Sequence, residues 1–201
     1  MPALASAEGY NDTGADGANI LNGQVNLNTV WSTTELKADY LHENSGASAM
    51  AVGNQAQIFT MSDTHVRNDQ NNMGDIGADL HANIQKAGGN VVLSSTAMCN
   101  GAMVSTDPAI TAVRSNQVCG ADDPVATVNA KIGFAGGGVG VQAMSMGNQL
   151  EVDSNAARFP VKNYQENTST MFSSANVKIG AAKAASVSSV AVGNTAQIIH
   201  Y

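Results

Sequence analysis

The sequence predicts an all-β fold, a β-solenoid or β-helix built from four repeats of about 47 residues. Three observations predict it. Short motifs recur four times in one order. The stretches around them alternate with the period of a strand. Large rings and charges, the usual material of a globular domain, are scarce.

The repeat comes first, because missing it would misassign the whole chain. Ala51-Val52-Gly53-Asn54-Gln55-Ala56-Gln57-Ile58 returns as Ala191-Val192-Gly193-Asn194-Thr195-Ala196-Gln197-Ile198. Two looser copies lie between, around Cys99-Asn100 and Gly147-Asn148. Asn54, Asn100, Asn148 and Asn194 are 46, 48 and 46 residues apart. A second marker ends on Gln24, Gln70, Gln117 and Gln165, at steps of 46, 47 and 48. A third reads Ala38-Asp39-Tyr40, Ala82-Asn83-Ile84, Ala130-Lys131-Ile132 and Val177-Lys178-Ile179. The chain therefore divides into an N-terminal segment, 1–19, and repeats at approximately 20–65, 66–112, 113–160 and 161–201, within a single repeat domain.

Within each repeat, the Gly-Asn region alternates. Met50, Thr96, Met144 and Val190 align, as do Val52, Met98, Met146 and Val192, then Ala56, Ala102, Leu150 and Ala196, then Ile58, Val104, Val152 and Ile198. Period two with β-branched residues predicts strands with one buried face. Gly53, Gly147 and Gly193, each followed by asparagine, mark a turn, bend or bulge. Cys99 stands at that glycine position in the second copy, so a positive φ is not required there in every repeat. Shorter strands are expected near Gln24–Leu27 and Thr34–Tyr40, and Leu80–Ala87 is expected to be a strand by its match to Leu36.

Two architectures fit: a solenoid with about two rungs of 20–25 residues per repeat, or a four-bladed propeller. Propeller blades wedge together through bulky side chains, whereas the aligned columns hold Ala, Val, Met, Ser and Asn, which suit stacked rungs. The solenoid is favoured, with an irregular β-sandwich as a third arrangement. In it, the asparagines and glutamines are either ladders of stacked amides or solvent-facing turn residues.

Composition narrows the function. Net charge is −7, from 16 acidic and 9 basic residues, and no basic stripe is legible for a nucleic-acid backbone. Charged residues make up 12% of the chain, roughly half the usual share. Valine and isoleucine are too plentiful for disorder. No run of 18 apolar residues could span a membrane. The first residues show no signal peptide, which is either absent or removed. Cys99 and Cys119, with 19 residues between them, form no CxxC pattern. They are either two buried thiols or a disulfide bridging adjacent turns, the latter requiring an oxidising compartment.

No catalytic, cofactor or metal site is expected. His42, His65, His81 and His200 form no HExxH or repeated column. Asp12-Thr13-Gly14-Ala15-Asp16-Gly17 lacks the spacing and terminal glutamate of a calcium loop. Asp122 and Asp123 alone do not make the acidic cluster of a solenoid enzyme. Gly136-Gly137-Gly138 leads into Val139, so it is a kink or loop rather than a phosphate cradle. Asn11 and Asn167 open glycosylation-type triplets.

The segments Ala49–Ala56 and Ser189–Ala196 resemble the head repeats of trimeric bacterial autotransporter adhesins. The Ser/Ala/Val/Gly-Asn alternation is similar to that of the holdfast-anchoring surface proteins of stalked bacteria. Ends such as Gly193-Asn194 and Ala196-Gln197 resemble curli-type repeats. These resemblances imply an extracellular scaffold at a bacterial outer surface, adhesive or anchoring, whose partners are copies of itself, an extracellular polysaccharide or other surface proteins. A fibre-forming subunit, for a matrix filament or a phage fibre, is the alternative. The last motif stops three residues before Tyr201 with no polar cap, which leads to the expectation of head-to-tail or larger homo-assembly.

Overall fold

The computed structural model describes residues 18–107, 111–120, 123–156 and 158–201. Among these, all regular structure is strand. Each repeat contributes three strands in the same order: β1 (Ala18–Asn26), β2 (Val30–Leu41) and β3 (Ser45–Thr60), then β4 (Thr64–Asn72), β5 (Ile76–Ala87) and β6 (Val91–Thr106). The third circuit is β7 (Thr111–Cys119), β8 (Val125–Ala135) and β9 (Gly138–Ser154). The last is β10 (Val161–Asn167), β11 (Phe172–Ala181) and β12 (Ala184–His200).

The strands stack into three parallel four-stranded sheets: A (β1-β4-β7-β10), B (β2-β5-β8-β11) and C (β3-β6-β9-β12). Every strand thus pairs with its own equivalent one repeat away, about 4.8 Å along the axis. The chain is a parallel β-solenoid. The expectation of two rungs per repeat is wrong: one repeat makes one circuit. The length is consumed because the C strands run 16 or 17 residues and face both other sheets in turn.

That double facing depends on a slip in the alternation. In β3, Ala49 and Ala51 point inward, and then Asn54 and Ala56 do, so the phase shifts by one residue across Val52-Gly53. The ladder register also skips Gly53 opposite Cys99. The Gly-Asn step is therefore a bulge inside one strand. Before it, the C strands pack on sheet B around Leu80, Ile84, Leu93, Val128 and Ile132. After it, they pack on sheet A, where Val104, Leu150 and Val152 meet Val66 and Val113. Burying each such side chain stabilises the fold by about 1.5–3 kcal/mol before chain entropy is subtracted.

The short strands are longer than expected, and Leu80–Ala87 lies in β5. One alignment is corrected. Ala82-Asn83-Ile84 pairs with Leu36-Lys37-Ala38, not Ala38-Asp39-Tyr40. Leu80 accordingly pairs with Thr34 rather than Leu36. A two-residue shift keeps every side chain on its own face, so alternation alone does not detect it.

Corners are tight. Gly136 donates its N–H to the Ala87 carbonyl at 2.8 Å, and a Cβ on Gly136 would strike the Gly88 carbonyl oxygen of the coil before. Gly136-Gly137 is thus a corner that only glycine fits, while Gly138 already opens β9. Asn90 repeats a similar economy at the same corner: its Oδ1 accepts from Gly138 N at 2.7 Å, as Asn44 Oδ1 accepts from Asn90 N at 2.8 Å.

Candidate functional site

Between the two apolar cores runs a polar seam. The Gln24–Gln70–Gln117–Gln165 column lies on sheet A, and Gln70 and Gln117 are fully buried. Gln70, Gln117 and Gln165 each donate one amide hydrogen to the Oε1 of the glutamine one coil back, at 2.7, 2.8 and 2.8 Å. The other hydrogen crosses to sheet C, where the carbonyls of Gln55, Gly101, Gln149 and Thr195 accept at 2.8–3.0 Å.

The asparagines on sheet C reciprocate. Asn54, Asn100 and Asn148 each donate to the Oδ1 one coil forward, reaching Asn100, Asn148 and Asn194 at 2.8, 2.7 and 2.9 Å. Their second hydrogens cross back to the carbonyls of Asn71, Val118 and Glu166 on sheet A, and Asn194 reaches that of Gln165. The two ladders therefore run with opposite polarity and lace sheets A and C together. Of the two readings of these residues, the structure shows the ladder: solvent reaches only the members in the terminal coils. An amide is the side chain for this position because it both donates and accepts, so like can bond to like. A parallel column, Asn22–Asn68–Ser115, continues the pattern, with bonds of 2.6 and 3.1 Å.

The cysteines are a disulfide, with Cα atoms 5.8 Å apart. It joins β6 of the second coil to β7 of the third. The equivalent positions elsewhere explain it. Gly53 lies against Asn72, whose Oδ1 would be only 2.6 Å from an added Cβ. Gly147 lies against Asn167, at 3.3 Å by the same measure. Cys99 occupies the glycine position and Cys119 the asparagine position. One coil junction thus replaces a packed Gly/Asn contact with a covalent bond. The glycines are needed for closeness, not for a left-handed backbone. Asn167 itself is engaged in a turn, its Oδ1 accepting from Ser169 N at 3.2 Å.

The remaining sequence candidates fall apart or lie elsewhere. Asp12 to Gly17, Asn11 and Asp122 are outside the described residues. Asp123 accepts from Thr170 N at 2.7 Å, a corner contact. His42 packs edge-on to Tyr40, and His200 hydrogen-bonds the Ala156 carbonyl at 2.8 Å and stacks on Phe159. His65 and His81 sit on β4 and β5. Among the described residues, no three of His, Cys, Asp and Glu gather as a metal set, and no helix is long and apolar enough to cross a membrane.

The outer faces hold what the sequence reading missed. Outward positions of sheet A bring Arg67, Arg114 and Lys162 into one column. Composition gave no basic stripe; the fold assembles a short one, because the cation recurs two residues into the second marker. Arg67 is held by Asp69 at 2.6 Å. Arg114 and Lys162, with Asn116, Asn163 and Tyr164, line a groove of about 510 Å³. The Tyr164 hydroxyl donates to Glu166 at 2.9 Å. That hydrogen bond, and then the carboxylate's charge, hold the phenol above its usual pKa. On sheet B, Lys86 sits between the Tyr40 and Phe134 rings, 5.4 and 6.0 Å from their centroids. Exposed Lys37 pairs with Glu35, whose carboxyl is held below the usual range by that hydrogen bond and charge.

A coil of this kind, with its interior given over to stacked cores and ladders, defines the class of parallel β-solenoid scaffolds. The family model described as Holdfast attachment protein D matches residues 5–200, and the chain belongs to that family. No curated protein and no solved structure matches it. The resemblance to holdfast-anchoring proteins is therefore the one the comparisons support; the autotransporter and curli likenesses gain no support from them. Membership carries a role in attachment at the bacterial cell surface.

Two expectations test the interior. Gln117→Ala breaks the ladder at a buried rung, stranding Gln70 Oε1, the Gln165 amide and the Gln149 carbonyl. It should cost about 3 kcal/mol, against about 1 kcal/mol for Gln24→Ala at the half-exposed end, read from denaturant midpoints. The Cys99→Ala/Cys119→Ala pair should lose about 3 kcal/mol by the same measurement. Cys99→Gly/Cys119→Asn, which restores the contact used at other junctions, should recover about 1 kcal/mol of it.

Proposed function

We propose that this protein is a non-enzymatic extracellular scaffold that anchors or displays adhesive material at a bacterial surface and does so through self-association. The observation that carries the anchoring role is the family match over residues 5–200. The disulfide supports an extracellular setting, since such bonds persist in oxidising compartments. The non-enzymatic reading is supported by how the buried amides are used: they are committed to one another and to backbone.

Self-association is supported by the polarity of the ladders. At the last described coil, Asn194 presents an amide hydrogen and Gln165 an Oε1 along the axis. At the first, Asn54 presents an Oδ1 and Gln24 an amide hydrogen. A second copy stacked head to tail meets donor with acceptor on both ladders, while the strand edges of β10, β11 and β12 meet those of β1, β2 and β3. The same geometry is what favours the second reading, a fibre-forming subunit.

A strain lacking the chain should shed its adhesive into the medium and lose attachment to glass, counted by microscopy, with its growth unchanged. Unaltered attachment would remove the anchoring role. Light scattering and electron microscopy of purified protein should show discrete oligomers whose population rises with concentration. A monomer at every concentration contradicts self-association, and long filaments with a period of one subunit select the fibre reading.

A further inference from the structure

The chain carries net charge −7, yet two of its nine Lys and Arg residues stand on adjacent strands beside one groove. Arg114 on β7 and Lys162 on β10 are direct register partners, so their side chains leave the sheet about 4.8 Å apart at the base. Two residues along, Asn116 and Tyr164 are partners in the next column. The ring of Tyr164 is 58% exposed, and its hydroxyl is tied to Glu166, which fixes the ring rather than covering it. Asn163, between Lys162 and Tyr164, partners Ser115 in the inward column and turns its side chain to the other face. The groove therefore offers two cations, an amide and an anchored aromatic face.

That set matches one ligand chemistry. Cations accept carboxylates through charge-assisted hydrogen bonds. Amides bond to ring hydroxyls, and an exposed aromatic face covers the C–H face of a pyranose. A phosphate-only ligand would have no use for the ring, and an apolar one none for the cations. The strand spacing also matters, because an extended hexuronate chain advances by a similar step per residue. Cations on neighbouring coils can then lie along one such chain.

We propose that the face of β7 and β10 around Arg114, Lys162 and Tyr164 binds an acidic polysaccharide, a hexuronate-containing chain laid along the solenoid axis. The assignment deepens the anchoring role proposed above and rests on it, naming the surface that grips the anchored material. Arg114 and Lys162 pair with its carboxylates, Tyr164 stacks under a ring, and Asn116 bonds to hydroxyls. The other exposed pair of lysines, Lys131 and Lys178 on β8 and β11, is flanked by Asn129, Asn176, Gly133 and Gly180. It has the same charge without a ring beside it and serves as the internal control.

The test uses the full chain, polygalacturonate as probe, and titration calorimetry. The wild type should bind polygalacturonate and not dextran, and binding should fall as salt is raised. Arg114→Ala/Lys162→Ala should weaken it about tenfold or more. Lys131→Ala/Lys178→Ala should leave it within about twofold, since exposed charges outside a shaped site contribute little. Tyr164→Ala should weaken it without changing its salt dependence. Circular dichroism checks that each variant keeps its strand content, and a variant that loses it is replaced by Arg114→Gln/Lys162→Gln. Equal loss in the two lysine-containing pairs would mean charge without a site. Unchanged affinity in Arg114→Ala/Lys162→Ala, equal binding of dextran, or preference for phosphatidylglycerol vesicles would each overturn the proposal. The two readings separate in cells. If the deletion strain sheds adhesive but Arg114→Ala/Lys162→Ala holds it, the groove is wrong and the anchor stands. If the deletion strain holds its adhesive, the anchor itself is wrong.

Discussion

Everything in this structure follows from one constraint: parallel strands stacked in register put each side chain directly against its own equivalent. An apolar residue tolerates that arrangement, because methyl packs on methyl. A buried charge does not, because it meets the same sign at about 4.8 Å with little water to screen it. Groups that both donate and accept are the exception, hydroxyls such as Thr106 on Ser154 and, above all, amides. An amide carries donor and acceptor on one planar group, so a column of glutamines or asparagines satisfies itself and still has a hydrogen left for the backbone opposite. Among the described residues, the polar side chains of the interior are amides and hydroxyls, and lysine, arginine and the carboxylates stay on the outside. The low charge content noticed in the sequence is the mark of this rule.

The constraint also explains where variation is allowed. Inward apolar columns keep their aliphatic character while size varies, as in Ala56, Ala102, Leu150 and Ala196. The seam where sheets A and C approach accepts a larger change because two positions change together. Glycine facing asparagine becomes cysteine facing cysteine, and the backbone approach that glycine permits is the one a disulfide needs. Outward columns are freer still. There the register aligns residues that the interior does not control, and a column such as Leu21, Arg67, Arg114 and Lys162 can become chemically specific over three coils.

The repeat, its strand character and the amide columns were legible because each leaves a residue at a fixed spacing. The number of strands in a circuit was not. Alternation has period two whichever sheet a strand joins, so nothing in it counts sheets, and a long strand serving two cores looks like two short ones. The bulge at Gly53 was visible as a Gly-Asn step, but its consequence, a change of inward phase from Ala51 to Asn54, needs the opposing sheets to be seen. The third marker slipped by two residues for the same reason: Ala38 and Leu36 occupy the same face. The cationic column was present in the second marker and hidden by an overall acidic composition, because charge was read as a sum and the fold uses it by position.

The disulfide gives the stack a mechanical asymmetry. A solenoid pulled by its two ends gives way by peeling strands one coil at a time, each circuit releasing its length with only its neighbour to hold it. Cys99 and Cys119 take a loop with a separation of 20 residues out of that process. Roughly 70 Å of extended chain stays gathered while the bond is intact. It also keeps the second and third coils joined at their corner after their hydrogen bonds have parted. The middle of the molecule is thereby a splice that bears load covalently, flanked by coils that yield and re-form, and an oxidising environment is what keeps such a splice closed.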